Sequence, residues 1–181
     1  MADALALVEL ASIARGHVVA DAMLKRAPVT LMRAEFVSPG KFLVLVAGDV
    51  ASVDEAFRAG VDVAGDRAVD RLFLPHAHPS LWPALAHETR RPTADSLGIV
   101  ETTTVAAALR GADAAAKAAA VELFELQLAR GIGGKAFFTI TGPLAEVEAG
   151  VDAAVGLLDA PSLIGTEIIA APHGDLVERL R

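Results

Sequence analysis

Apolar and polar positions follow two periods along this chain, and these periods predict strands and helices. Extended apolar runs predict strands at residues 5–12, 29–36, 41–47 and 72–74. Apolar positions at i, i+3 and i+4 predict helices at residues 15–27 and 50–64. The same periods in the second half predict strands at 97–104, 121–128, 135–141 and 166–170, and helices at 105–119 and 143–157. Each half therefore has the order β-α-β-β-α-β.

The two halves are also similar residue by residue. Residues 6–37 align with residues 98–129 at an offset of 92, with 10 of 32 positions identical. A two-residue insertion then moves the offset to 94, at which Gly40-Lys41 aligns with Gly134-Lys135. We interpret the chain as a tandem duplication of one structural unit, because similarity at a fixed offset is the sequence signature of a repeat.

The order of elements predicts an α+β fold made of two tandem ferredoxin-like domains. In each domain we expect an antiparallel sheet with helices packed on one face. The turn residues Ser38-Pro39-Gly40 between two predicted strands favour a hairpin in the first domain. We expect residues 1–88 to form the first domain and residues 95–181 the second, joined by a polar linker at 89–94.

Composition narrows the classes of function that fit. The 181 residues are 54% hydrophobic but only 4% aromatic, so the apolar surplus predicts a large core or surfaces covered by other copies. A net charge of −7 argues against a nucleic-acid partner, and no apolar stretch is long enough to cross a membrane. The absence of cysteine excludes disulfides, zinc–thiolate sites and catalytic thiols. Without a secretory signal at its start, the chain is expected in the cytoplasm.

The segment Arg130–Ala136 has glycines in the spacing of a dinucleotide-binding fingerprint. That fingerprint requires a strand that turns into a helix, whereas here a strand is predicted directly after the glycines. We therefore interpret Gly131, Gly133 and Gly134 as part of a hairpin turn that needs positive φ. Three glycines in four residues also predict a turn whose backbone lies close to a ligand or to symmetry mates.

Polar residues that recur in both halves favour structural roles over catalysis. His78 and His173 align just before a short terminal helix, a position that predicts capping or packing. Glu9 and Glu101 align in the first strand of each half, and we assign each a structural role. A metal site at His76 and His78 lacks a third ligand at recognisable spacing, and no nucleophile–base pair is present. We expect no catalytic site, no bound metal and no cofactor.

Two aligned lysines end the first helix of each half. Lys25 follows Asp21 by four residues, and Lys117 follows Asp113 by four residues. This spacing predicts an ion pair on an exposed helix face. Because Asp-x-x-x-Lys-x-Ala is retained in both halves, a contact role for the lysines is also favoured.

These motifs together resemble one protein family. The strand segments Leu7-Val8-Glu9 and Ile99-Val100-Glu101, the Asp-x-x-x-Lys-x-Ala helix ends and the glycine-bearing turns are similar to those of bacterial microcompartment shell proteins. Two such units in one chain match the tandem-domain, trimer-forming class, over roughly residues 4–181. Within that class, Ser38–Lys41 and Gly131–Lys135 look most similar to the propanediol-utilisation type.

The resemblance implies that three chains form a flat pseudohexameric tile, which meets other shell proteins at its edges. It implies a central pore lined by hairpin turns, namely Ser38, Pro39, Gly40, Gly131, Ile132, Gly133 and Gly134. It also places four residues at tile-edge contacts, namely Lys25, Lys117, His78 and His173. The family's Pro-Arg-Pro-His segment keeps its histidine but lacks its arginine in both halves, so edge packing is expected to be weaker or differently made.

One departure from the family concerns the pore. Some tandem shell proteins carry a cysteine at the position of Ser38 and hold an iron–sulfur cluster there. Serine is a poor iron ligand, so we predict no cluster and an open pore for small polar or anionic metabolites. The alternative function is an oligomeric small-molecule-binding regulatory protein on a ferredoxin-like scaffold. A tile would form trimers and sheets, whereas a regulator would be a discrete oligomer that a ligand stabilises.

Overall fold

The computed structural model describes residues 3–89 and 95–180. The strands of the first half are β1 (Ala4–Leu10), β2 (Thr30–Val37), β3 (Lys41–Gly48) and β4 (Ala68–Leu74). Its helices are α1 (Ile13–Arg26), α2 (Val50–Ala64) and α3 (Leu81–Leu85), with a 3-10 turn at Gly65–Arg67. The second half has β5 (Ser96–Thr102), α4 (Val105–Ala118), β6 (Glu122–Leu128), β7 (Ala136–Gly142), α5 (Leu144–Leu157), β8 (Leu163–Ala170) and α6 (Gly174–Val177). The predicted order β-α-β-β-α-β is confirmed in each half.

Each half forms a four-stranded antiparallel sheet, with strand orders β2-β3-β1-β4 and β6-β7-β5-β8. The first strand of each half is therefore central, and the second strand lies at an edge. In the first sheet, α1 and α2 pack on one face, where alternate residues of β1 and β3 meet apolar residues of both helices. Helices α4 and α5 pack in the equivalent way on the second sheet. The predicted α+β class is confirmed.

Element boundaries differ from prediction where side chains cap helices or where a strand lies at an edge. The strand predicted at 5–12 ends at Leu10, because the Ser12 hydroxyl accepts a hydrogen bond from the Arg15 N–H at 3.3 Å and starts α1. The strand predicted at 97–104 ends at 102, because Thr104 caps α4 in the same way. Strand β4 begins at Ala68 rather than 72, because Asp70 and Arg71 interrupt its apolar run on an edge strand. Strand β8 begins at Leu163 rather than 166.

The chain divides into two compact units that do not follow the repeat boundary. The first unit runs up to Ala77 and also includes Ala129–Gly134, and the second unit runs from His78 to Leu128 and resumes at Lys135. Residues 78–88, expected in the first domain, thus belong to the second unit, and residues 90–94 of the predicted linker lie outside the described residues. The domain boundaries stay a prediction. Among the described helices, none has the length and apolar character that a membrane span needs.

Candidate functional site

The turn between β2 and β3 consists of Ser38, Pro39 and Gly40, and all three are exposed. Gly40 has a φ of +100°, and its N–H donates to the Val37 carbonyl at 2.9 Å. A Cβ atom at Gly40 would meet no atom within 4 Å, so backbone conformation rather than space favours glycine. The turn therefore presents a hydroxyl and backbone groups to solvent.

The turn between β6 and β7 is longer and has positive φ at all three of its glycines. The φ values are +77° at Gly131, +67° at Gly133 and +81° at Gly134. A Cβ atom at Gly134 would lie 2.8 Å from Pro39 Cδ and 3.0 Å from the Ser38 carbonyl oxygen. Both turns belong to the first compact unit, so the structure brings Gly134 against Ser38 and Pro39. Gly131 and Gly133 have open space where a side chain would be, and they take no part in this contact.

Lys41 holds the longer turn at the base of the first hairpin. Its Nζ donates to the Gly134 carbonyl at 3.3 Å and pairs with Glu9 Oε1 at 2.8 Å. The Glu9 side chain is fully buried, and a buried carboxylate requires such a partner. The aligned pair Lys135–Glu101 has the same geometry, at 2.9 Å, but is much more exposed. The structural roles predicted for the two glutamates are thus ion pairs with the lysines that follow the turns.

A second ion pair fixes the start of the longer turn. Arg130 Nη2 lies 2.6 Å from Glu35 Oε2, and Arg33 Nη1 lies 3.0 Å from Glu35 Oε1. Burial raises the pKa of the Glu35 carboxyl, but hydrogen bonds from Arg130 and Arg33 outweigh burial and hold that pKa below its ordinary value. Glu35 is therefore ionised at neutral pH. Ile132, at the middle of the same turn, is half-buried.

Part of this charged network has a signal in the sequence. Lys41 and Lys135 align, as do Glu9 and Glu101, and two duplicated opposite charges indicate a duplicated ion pair. The Arg130–Glu35 pair has no such signal, because the repeat partner of Glu35 is the uncharged Gln127.

The two aspartate–lysine pairs form as the spacing predicts. Lys25 Nζ lies 2.6 Å from Asp21 Oδ2, and Lys117 Nζ lies 2.6 Å from Asp113 Oδ2. The first pair is exposed, whereas Asp113 is buried and also accepts the backbone N–H of His78 at 2.8 Å. The same motif therefore occurs in two environments, and in one of them it binds the segment that follows β4.

His173 caps α6, as predicted, whereas His78 lies two residues before Ser80, the N-cap residue of α3, and accepts a hydrogen bond from that residue. The Nδ1 atom of His78 accepts the Ser80 N–H at 3.3 Å, and that of His173 accepts the Asp175 N–H at 3.2 Å. Within residues 3–89 and 95–180, no three His, Asp or Glu side chains come together as a group that could hold a metal ion. The two histidines align in the repeats, and a leucine lies three residues after each of them, at Leu81 and Leu176.

The second unit has a cavity of about 260 Å³ between α3 and β6. Its lining includes His87, Thr89, Phe124 and Glu125, and the Thr89 hydroxyl donates to the Phe124 carbonyl at 2.5 Å. Burial raises the pKa of the Glu125 carboxyl. One half-buried carboxyl group in this cavity does not constitute a catalytic constellation.

Comparison with known families decides the class of protein. A model of the BMC domain matches residues 4–77 and again residues 96–172. The chain belongs to the BMC domain family. The two matches correspond to the two repeats, so the chain carries two BMC domains in tandem, as its sequence predicts.

Curated relatives of this BMC protein are shell proteins. The chain is 39% identical to the bacterial microcompartment shell protein PduT of Citrobacter freundii over 174 residues, which cover 96% of this chain and 95% of PduT. It is 37% identical to the carboxysome shell protein CsoS1 of Prochlorococcus marinus over 90 residues, which cover 48% of this chain and 87% of CsoS1. This BMC protein is accordingly a structural component of a bacterial microcompartment shell, not an enzyme.

A solved structure supports the same assignment for the whole tandem chain. The crystal structure of a microcompartment protein from Desulfitobacterium hafniense superposes with a TM-score of 0.89 at 41% identity. The match covers 99% of this chain and all of that chain. The shell role, rather than the alternative role of a regulatory protein, is the one that the curated relatives of this BMC protein have.

Proposed function

We propose that three copies of the chain form a pseudohexameric homotrimer that tiles the shell and has a central pore for small polar metabolites. Three chains of 18.7 kDa would bring six BMC domains into one particle of about 56 kDa. The observation that carries the pore is the contact of Gly134 with Ser38 and Pro39, which gathers both hairpin turns of one chain. Three such pairs of turns would surround the axis.

The chemistry of the turns favours polar and anionic solutes. Ser38 and Pro39 are exposed beside Gly134, and the longer turn begins at the cationic Arg130. Backbone N–H groups in turns of positive φ form concavities that bind anions. Because Lys41 and Arg130 are tied to Glu9 and Glu35, the turns would keep one shape while solutes pass.

We further propose that the pore holds no iron–sulfur cluster, since Ser38 offers a hydroxyl where a thiolate would be needed. Purified protein should contain no iron or sulfide and should show no visible absorption. A stoichiometric cluster would contradict the proposal.

The edges of the tile would carry Lys25 and Lys117, with His78 and His173 beside them. Lys25 and Lys117 are 75% and 45% exposed, so both ammonium groups can reach a neighbouring tile while paired to their aspartates. His78 is half-buried and His173 is exposed. Other shell proteins of the same compartment would be the partners at these edges.

Native mass spectrometry with negative-stain imaging of concentrated protein tests the assembly. The expected result is a trimer near 56 kDa that forms sheets or tubes, and a stable monomer would contradict the proposal. The pore is tested by Ser38→Cys in this cysteine-free chain, because two of three thiols at one axis should form a disulfide on oxidation. Ala51→Cys, at an exposed position on α2, is the matched control and should stay monomeric under denaturing conditions.

A further inference from the structure

The cavity between α3 and β6 holds a carboxylate that lacks a counter-ion. Glu125 lines this cavity and is half-buried. Within residues 3–89 and 95–180, its carboxylate forms no ion pair and no hydrogen bond. Burial raises the pKa of the Glu125 carboxyl, and no neighbouring group offsets that effect. A half-buried carboxylate is stabilised by a cation, and the described part of the chain does not supply one here.

The first repeat differs at the aligned position. The repeat partner of Glu125 is Arg33, which pairs with Glu35 at 3.0 Å. The repeat partner of Glu35 is the uncharged Gln127. In the second repeat the charge is therefore reversed and its partner is lost. The ion pair of the first repeat cannot explain why a carboxylate lies in this cavity.

The surroundings of the cavity are anionic. A second cavity of about 380 Å³ shares Thr89 and Phe124 with the first, and its lining includes Glu88 and Glu122. All lining residues of both cavities belong to the second compact unit. Neither lining includes a lysine or an arginine of the described chain, and His87 is the one basic side chain. The field at this site therefore attracts cations and repels anions.

The rest of the first cavity suits a carbon chain. Its polar lining residues are Glu125, His87 and Thr89, and the Thr89 hydroxyl already donates to the Phe124 carbonyl. The remaining lining residues are apolar, namely Ala84, Phe124, Leu126 and Leu180. A volume of about 260 Å³ lies below the range of about 300–1,000 Å³ that is usual for larger ligands. The cavity therefore fits a cation with a short apolar body.

We propose that this cavity binds a small aliphatic amine, whose ammonium group pairs with the Glu125 carboxylate and whose carbon chain contacts the apolar lining. A charge-assisted hydrogen bond to Glu125 is stronger than a neutral one, and a neutral His87 ring can accept a second. The site is separate from the turns that are proposed to line the pore, so it adds a binding function to the proposed one.

The residues favour an ammonium group over a metal ion. No group of three His, Asp or Glu side chains in the described ranges could hold a metal ion. A divalent ion prefers six or more oxygen ligands and gains nothing from an apolar lining, whereas an aliphatic amine uses both parts of the cavity.

Nuclear magnetic resonance of leucine methyl groups tests the site in the intact protein. The probe is butylammonium at pH 8 in an amine-free buffer, and the reporters are Leu126 and Leu180, with the exposed Leu157 as reference. We expect saturable shifts at Leu126 and Leu180 and none at Leu157. The neutral probe 1-butanol, which has the same chain length, should bind at least about tenfold more weakly, because it lacks the charge.

Glu125→Gln removes the charge and keeps the shape, and it should weaken butylammonium binding at least about tenfold. Relief of a half-buried charge should leave this variant at least as stable as the wild type, so loss of folding cannot explain the loss of binding. The matched control is Glu148→Gln at an exposed position of α5, which should bind like the wild type.

Three results would overturn the proposal. They are the absence of saturable shifts, equal binding of 1-butanol, and an unchanged affinity of Glu125→Gln. Displacement of butylammonium by equimolar Ca²⁺ would also overturn it, because the site would then be one for metal ions. None of these results bears on the trimer or its pore, which the measurements described above test separately.

Discussion

The duplication places one ion pair in two environments, which permits an internal comparison of its energy. In the pair Lys41–Glu9, the side chains are 19% and 0% exposed, whereas in Lys135–Glu101 they are 50% and 41% exposed. Replacing each lysine by methionine removes the charge and keeps most of the apolar stem. The two variants therefore differ mainly in the burial of the carboxylate that is left behind.

The expected magnitudes are well separated. Removing one partner of a buried ion pair destabilises a protein by about 3–5 kcal/mol, because the other charge stays buried. Lys41→Met also removes the hydrogen bond to the Gly134 carbonyl, which contributes about 1 kcal/mol. Exposed pairs contribute only about 0–1 kcal/mol, so Lys135→Met should be nearly neutral.

Urea unfolding at one fixed protein concentration measures both variants. With urea slopes of about 1–3 kcal/mol/M, a loss of 3 kcal/mol lowers the unfolding midpoint by at least about 1 M. The double variant Glu9→Gln, Lys41→Met should recover part of the loss, since an amide needs no counter-ion. Equal shifts for Lys41→Met and Lys135→Met would refute the reasoning that burial sets the energy of this pair.

Three further measurements follow from the pKa directions and the glycine geometry. Burial raises the pKa of Glu125, so its ionised form opposes folding; Glu125→Gln should raise the thermal midpoint at pH 8, and the gain should disappear by about pH 3. Burial raises the pKa of Glu35, but hydrogen bonds from Arg130 and Arg33 hold it below its ordinary value. These ion pairs therefore stabilise the folded state at pH values above the ordinary glutamate pKa, and the stabilisation is lost as pH falls. Arg130→Gln should therefore cost about 0.5–1 kcal/mol at pH 7 and nothing near pH 2, and a pH-independent loss would contradict that ion pair. Gly131→Ala should cost about 1 kcal/mol for its positive φ, and Gly134→Ala should cost more because its Cβ would also clash with Pro39; equal losses in urea unfolding would show that the two turns are not in contact.

The fold could be predicted from the sequence because local pattern and repetition agree. Helix and strand periods give the same order in each half, and the alignment makes each half a check on the other. The boundaries that differ are those decided by single side chains, as at Ser12, or by edge strands such as β4, in which Asp70 and Arg71 interrupt the apolar run. Local chemistry of this kind has no periodic signal.

The burial of the repeats could not be predicted, because aligned residues can have opposite environments. Leu31 and Leu123 are the same residue at the same position of the repeat, yet only Leu123 is covered. Likewise, the Arg130–Glu35 ion pair joins residues 95 positions apart, and neither has a charged repeat partner. The positive φ values at Gly131, Gly133 and Gly134 could be predicted from the sequence, because such a conformation favours glycine. The contact of Gly134 with Pro39 could not, because it depends on the tertiary structure.

The two extra residues of the second hairpin turn have a consequence for how the opening of a trimer can vary. In a ring of six identical single-domain subunits, every substitution recurs six times, so the charge of the rim changes only in steps of six. Here Ser38 and Arg130 belong to turns of different length in one polypeptide, and each would recur three times in alternation. In the proposed trimer, mutation would therefore adjust one half of the rim while the other half kept its contacts with Lys41 and Glu35, and pore charge and diameter would vary in finer steps than sixfold symmetry permits.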